Sequence, residues 1–198
     1  ENVYELGSVV KSLTMSSGLD AGVVTPETTY NDKGYIILNT ERINDSDKKV
    51  RGIVNMQEVL NNSLNTGATF VMQQLGRERI KNYMLSFGIG EKTGIDVPGE
   101  VKSLISNLKS TRDLEYATAS FGQGIALTPV AAIRAFASLA NGGYMVTPHV
   151  VSAIEHTDGT VKKMTFPEPK QVLKKESTET ISRMLTTVID KGMFGGRA

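Results

Sequence analysis

Tyr4-Glu5-Leu6-Gly7-Ser8-Val9-Val10-Lys11 places a serine and a lysine three residues apart near the start of the chain. The segment from Ser8 to about Asp20 carries Val9, Val10, Leu13 and Leu19, and reads as a helix that begins at or near Ser8 and frays near Gly18. On a helix, side chains at i and i+3 share a face, with Cβ atoms roughly 5–6 Å apart. A lysine amine so placed can take the serine proton, provided burial lowers its pKa. The partial positive charge of a helix N-terminus then lies where an alkoxide would develop. S-x-x-K also recurs by chance, because surface serine and lysine are common.

Outward from that pair, a second element stands at Ser63-Leu64-Asn65. Met56, Val59 and Leu60 predict a short helix ending before Asn61-Asn62. A second helix is expected over 66–75, stopped by Gly76. The hydroxyl and amide between them are two apart on a loop and can face one cleft, the serine relaying a proton to a leaving amine and the asparagine holding a substrate amide. The same row of Ser, Asn and Thr equally suits a helix cap. A third helix runs from Arg77, with Ile80, Met84 and Phe87 on one face. Gly88 to Gly99 reads as a long loop, 113–119 as a short helix, and Thr128-Pro129 as a capped helix start. Tyr35 to Leu38 reads as a strand, and Asn44 to Lys49 as an exposed polar loop. The spans 144–155 and 160–166 read as two strands joined around Asp158-Gly159, and Ser177 caps a final helix bearing Ile181, Met184, Leu185 and Val188. Helices dominate and strand–helix alternation is not sustained, which excludes a doubly wound sheet and predicts an α+β domain with excess helix.

The 198 residues allow one ordinary domain. A net charge of +1 gives no basic excess for nucleic acid. The absence of Cys excludes disulfide scaffolds, thiolate metal sites and thiol catalysis. The two His, 149 and 156, cannot supply a three-His metal site and are read as loop or surface residues; no metal or other cofactor is expected. Phe87-Gly88-Ile89-Gly90-Glu91-Lys92-Thr93-Gly94 fails as a phosphate loop, since Glu91 precedes the lysine, and as a dinucleotide fingerprint, since Thr93 stands where a third glycine belongs.

S-x-x-K followed by S-x-N in that order is the serine acyl-transfer set of β-lactamases and penicillin-binding enzymes. On these residues the chain resembles the transpeptidase domain of class B penicillin-binding proteins of the septal (division) type. Longer blocks carry the resemblance further: Tyr4 to Ser8 is similar to Y-E-P-G-S, and Gly22-Val23-Val24-Thr25-Pro26 follows. Phe87 to Glu100, Ser120-Phe121-Gly122-Gln123-Gly124-Ile125, Thr128-Pro129 and Ala140-Asn141-Gly142-Gly143 match as well. The resemblance implies the helix-rich part of the serine β-lactamase/D,D-transpeptidase fold, with part of an antiparallel sheet. It implies a D,D-transpeptidase that cross-links peptidoglycan, with Ser8 as nucleophile, Lys11 as base, Ser63 in proton transfer and Asn65 on the substrate. The implied partners are stem peptides (a D-Ala-D-Ala donor and an amine acceptor), β-lactam antibiotics and other wall-synthesis or division proteins. A membrane-anchored full-length protein facing the periplasm or cell exterior follows.

Two departures stand out. Leu6 replaces the family's proline, which is expected to loosen the turn before Ser8. The third motif, K-[ST]-G, is missing from its place, and Lys92-Thr93-Gly94 lies too early to serve. Residues 1–198 are therefore expected to be a partial transpeptidase domain, lacking a pedestal and anchor before Glu1 and the K-[ST]-G segment after Ala198. The Gly-rich end from Lys191 onward fits a chain cut inside a loop. A serine β-lactamase is the alternative enzyme, although Glu100-Val101-Lys102-Ser103-Leu104 has the wrong spacing for a loop glutamate that activates water; a non-catalytic scaffold domain is the other.

Overall fold

In a computed structural model, residues 2–192 are described. Of the Gly-rich loop expected from Lys191 onward, Lys191 and Gly192 are helical and the remainder lies outside the described residues. A 3-10 turn, Gly7–Val10, leads into helix α1, Lys11–Asp20. Four short strands follow: β1 Thr29–Asp32, β2 Tyr35–Leu38, β3 Glu41–Asn44 and β4 Gly52–Asn55. Then come α2 Met56–Asn61, α3 Asn65–Leu75, α4 Arg77–Ser86, a 3-10 turn Ser106–Lys109, α5 Asp113–Ser120 and α6 Pro129–Ala140. The last part holds β5 Tyr144–Met145, β6 Ala153–Glu155, β7 Val161–Lys163, β8 Lys170–Gln171 and α7 Lys175–Gly192. Among the described residues the strands form four two-stranded antiparallel sheets: β1 with β4, β2 with β3, β5 with β8, and β6 with β7.

Helix α1 is the axis of the fold. It touches α3, α4, α6 and α7, and every residue but Leu19 is buried. Leu13 and Met15 bring the apolar contribution, each about 1.5–3 kcal/mol for full burial. Its hydroxyls are buried too, and each is satisfied. Ser12 donates to the Val9 carbonyl, Ser16 and Ser17 to that of Leu13, and Thr14 to that of Ser120. Gly18 does not end the helix. A Cβ there would lie 2.7 Å from a Val71 methyl on α3 and 2.8 Å from one of Val24, so the glycine marks close packing where fraying was expected.

Elsewhere the expected helices form to within a residue or two, with Thr128 accepting from the Ala131 amide as N-cap of α6. Four readings are corrected. The single strand expected over 144–155 is broken: Pro148 has no N–H to offer, and the Asp96 carboxylate draws off the amides of Val150 and Val151. Only 161–163 of the second strand pairs, although the hairpin around Asp158-Gly159 is as expected. Ser177 is inside the first turn of α7, because the helix starts at Lys175 and the amides of Ser177 and Thr178 both reach the Lys174 carbonyl. Asn44 to Lys49, expected to be exposed, hides Asp45, whose partners lie across the fold. Strands β1, β3 and β4 had no apolar alternation strong enough to announce them.

Candidate active site

The chain before Ser8 is held by a second stretch 115–123 residues away. Tyr4 and Leu127 exchange two backbone hydrogen bonds of 2.9 Å, the Gly124 amide donates to Glu5, and the Gly7 amide donates to the Gly122 carbonyl. Gly7 has φ +61, which glycine adopts without strain. Gly122 has φ +83, and a Cβ there would lie 2.2 Å from the Gly7 carbonyl oxygen. The two sequence blocks around Ser8 and Gly122 thus interlock backbone to backbone. Leu6 keeps φ −79, inside the range a proline imposes, so the turn retains its shape without the ring.

This clamp presents Ser8 at the surface, while Lys11, one turn on, is only 2% exposed. The Lys11 Nζ lies 3.2 Å from Ser8 Oγ, 3.0 Å from Ser63 Oγ and 2.5 Å from the Ser63 carbonyl oxygen. Burial lowers the ammonium to about 8, and the Asp45 carboxylate pulls it part of the way back up. An ammonium can donate to all three oxygens. A neutral amine can donate to both Ser63 oxygens and turn its lone pair to the Ser8 hydroxyl.

Ser63 reaches this point from an unusual backbone. It follows α2 with φ +52, and its amide returns to the Leu60 carbonyl while the Leu64 amide returns to that of Val59. Those two bonds are the Schellman ending of a helix, in which the left-handed position normally goes to glycine. Leu64 and Val59, the positions where this motif places apolar residues, are both buried. A serine there costs roughly 1–2 kcal/mol of backbone strain, and its side chain, like that of Ser8, is hydrogen-bonded to Lys11.

Ser8, Lys11 and Ser63 are therefore brought together. They line one end of a cleft of about 720 Å³ whose other walls include Val9, Leu60, Phe136, Leu139, Leu185 and Val188. Asn65 is not part of that wall. It lines a neighbouring cavity of about 520 Å³ with Arg42, Arg112 and Gln123, and its Nδ2 donates to the Asn44 carbonyl at 2.9 Å. Lys92-Thr93-Gly94 forms a carboxylate-binding turn. Glu100 accepts from the Thr93 amide and hydroxyl and from the Gly94 amide, while Lys92 is exposed. Burial would raise the Glu100 carboxyl, but these hydrogen bonds and nearby Lys92 hold it below its ordinary value. His149 stacks on Phe166 and both histidines are exposed. Among the described residues no three His, Asp or Glu converge as a metal site, and no helix is long and apolar enough to cross a membrane.

Asp45, Thr66 and Gly122 are the neighbours of the site that sequence reasoning missed as such. The glycine stood inside a noticed block, but nothing local marks Asp45, whose partners are 21 residues away.

A serine–lysine–serine hydrogen-bonded set on a helical α+β framework defines a serine acyl-transfer class. The chain belongs to the penicillin binding protein transpeptidase domain family, whose model matches residues 1–198. It is similar to stage V sporulation protein D of Bacillus subtilis (strain 168), 32% identical over 194 residues, covering 96% of this chain and 30% of the relative. It is 28% identical over 202 residues to a probable peptidoglycan D,D-transpeptidase FtsI of Caulobacter vibrioides, covering 100% of this chain and 32% of that one. Penicillin binding protein 3 of Mycobacterium tuberculosis in complex with aztreonam superposes with a TM-score of 0.90 at 25% identity, over 98% of this chain and 44% of that one. The chain thus spans about a third of the length of these curated relatives. The helix-rich serine β-lactamase/D,D-transpeptidase fold expected from sequence is the fold observed.

Proposed function

We propose that the chain carries the acylation centre of a peptidoglycan D,D-transpeptidase, and the observation that carries this is the Lys11 amine bridging the hydroxyls of Ser8 and Ser63. Neutral Lys11 takes the Ser8 proton as Oγ attacks the carbonyl between the last two D-Ala residues of a stem peptide. The Ser63 hydroxyl passes a proton from Lys11 to the departing D-Ala amine as the C–N bond breaks. An amine from a second stem peptide then attacks the Ser8 ester, forms the new amide and returns the serine. Asn65, turned by its bond to the Asn44 carbonyl, offers its side-chain oxygen to a substrate N–H at the edge of the site. A β-lactam follows the first half of this course and leaves Ser8 acylated.

In this reading residues 1–198 are part of a transpeptidase domain. A K-[ST]-G segment lying beyond them completes the cleft and supplies oxyanion donors, and an anchor preceding them holds the domain at the outer face of the cell membrane. Relatives named peptidoglycan D,D-transpeptidase support work in wall synthesis, which this reading assigns to division alongside other proteins of that process. The β-lactamase alternative is less well supported, because Glu100 is bound in the 93–94 turn.

Incubation with a penicillin, followed by intact-mass and peptide mass spectrometry, tests the proposal. A single covalent adduct on the peptide bearing Ser8 is expected. Its formation should be at least about 10² slower than in a chain extended through K-[ST]-G, the size of loss typical for one oxyanion donor. An adduct elsewhere, or none in either chain, overturns the reading.

A further inference from the structure

Asp45 is 2% exposed although the residues after it, Ser46 to Lys49, are polar and exposed. Helix α3 begins at Asn65 after Leu64, an N-cap residue whose side chain caps nothing. The orphan amide of Thr66 is instead taken by Asp45 Oδ1 at 3.0 Å, and the Thr66 hydroxyl lies 2.9 Å from Asp45 Oδ2. A carboxylate only accepts, so that hydroxyl proton goes to Asp45 and the Tyr30 hydroxyl, 3.0 Å away, donates to Thr66 in turn. Tyr30 is braced by stacking on Phe70 at 5.4 Å. The carbonyl of the adjoining residue Asn44 accepts from the Asn65 side-chain Nδ2. One short segment, 44–45, thus grips the start of α3 at both of its first residues. The Schellman turn grips the other side of Ser63. Between these two holds sits the strained residue whose carbonyl and hydroxyl both bind Lys11.

We propose that Asp45 is a positioning residue for the acyl-transfer centre: it caps α3 from across the fold, holds the Ser63 turn against Lys11, and sets the charge that Lys11 feels. This rests on the serine–lysine–serine reading of the site. Asp45 is the carboxylate whose charge bears on Lys11. Behind it, Asp32 is fully buried on β1; Arg51 stands 3.5 Å from its Oδ2 but is bonded chiefly to Asp47, at 2.6 Å. Tyr30 stays neutral, since burial pushes its hydroxyl above the ordinary value. The faces that α2, α6 and α7 turn to the cleft are apolar or hydroxyl-bearing: Leu60, Phe136, Ser182 and Leu185. Removing the Asp45 charge leaves burial as the dominant influence on Lys11, so its proton is lost at lower pH.

Two substitutions and two measurements test this. Asp45→Asn keeps an oxygen for the Thr66 amide and removes the charge; Asp45→Ala removes both. The Lys11 titration is followed by NMR at its side-chain carbon, which needs no activity, and acylation of Ser8 by a fluorescent penicillin is followed across pH. In Asp45→Asn the Lys11 midpoint should move about 0.5 unit toward acid, and the rising limb of acylation should move with it. In Asp45→Ala plateau acylation should fall at least about tenfold, because geometry loosened by an ångström or so is costly. An unmoved Lys11 midpoint in folded Asp45→Asn overturns the proposal, since a merely structural cap would leave it in place. Parent-like plateau acylation in folded Asp45→Ala also overturns it. A parent chain that penicillin does not label, with Lys11 still shifted by Asp45→Asn, sinks the acyl-transfer reading and supports Asp45 as the partner of Lys11.

Discussion

Ser8 and Ser63 meet the same lysine amine from two unlike backbones. Ser8 belongs to a 3-10 turn that runs straight into α1, so its distance to Lys11 follows from helical geometry alone. Ser63 sits in a left-handed turn between two helices, at a position where glycine would be easier, and is held there by bonds from α2 on one side and Asp45 on the other. The Ser8–Lys11 spacing of the first wall is local and nearly free of strain, although the segment before it is clamped by residues 122–127. The second is assembled from segments tens of residues apart. If the comparison holds, changes to the first wall should remove chemistry, while changes to the second should separate chemistry from stability.

The largest effect is expected at Ser8. Ser8→Ala should abolish covalent labelling by a fluorescent penicillin with no change in melting temperature, because the hydroxyl is exposed. Full labelling in that variant would remove the first wall from the mechanism.

Next is Lys11→Arg, which keeps a cation but cannot deprotonate. Acylation should drop by at least about 10², the low end for loss of a general base, as measured by time-resolved mass spectrometry. An Arg variant acylated at the parent rate would make Lys11 a charge partner only.

The buried amine also gives stability a pH dependence. Its pKa is lowered to about 8 in the folded chain from 10.5. Between those values the unfolded chain binds more protons, so stability rises with pH. From pH 8 to pH 10 the gain should be about 2 kcal/mol, read from denaturant midpoints, and it should vanish in Lys11→Met. Above pH 10 the trend should reverse. Tyr30 and Tyr83 have folded values raised chiefly by burial, so ionisation of tyrosine then favours the unfolded chain. A flat profile in the parent would place Lys11 in water, against its burial.

The smallest effect sharpens the comparison most. Ser63→Gly relieves the left-handed strain at φ +52 and should stabilise the chain by up to about 1 kcal/mol, while acylation falls. Loss of both stability and acylation would mean that the hydroxyl's bond to Lys11, and not the Schellman turn, holds the second wall in place.

Helix α7 and helix α1 show how far periodicity could be read. In α7 the apolar residues Ile181, Met184, Leu185 and Val188 recur on one face, because one side meets α1, α2 and α6 and the other meets water. In α1 there is no such stripe. The helix is surrounded, its serines bond to its own carbonyls, and Gly18 lets Val71 and Val24 approach. Fraying at Gly18 was the natural expectation from sequence, and close packing with α3 overrides it.

By itself the sequence determined the helix-rich α+β class, the helices to within a residue or two, and the pairing of Ser8 with Lys11, since spacing along one helix is a local property. It also brought Ser63 into view through an ordered motif. Only the tertiary structure decided that Ser63 turns its oxygens to Lys11 and that Asn65 lines a different cavity. It also placed the Lys-Thr-Gly triplet around Glu100, buried Asp45 under α3, and broke the strand expected over 144–155. Each of these depends on which distant backbone amide, carbonyl or carboxylate comes within hydrogen-bond reach. That reach is set by packing across separations of up to 55 residues, and no local pattern of side chains encodes it.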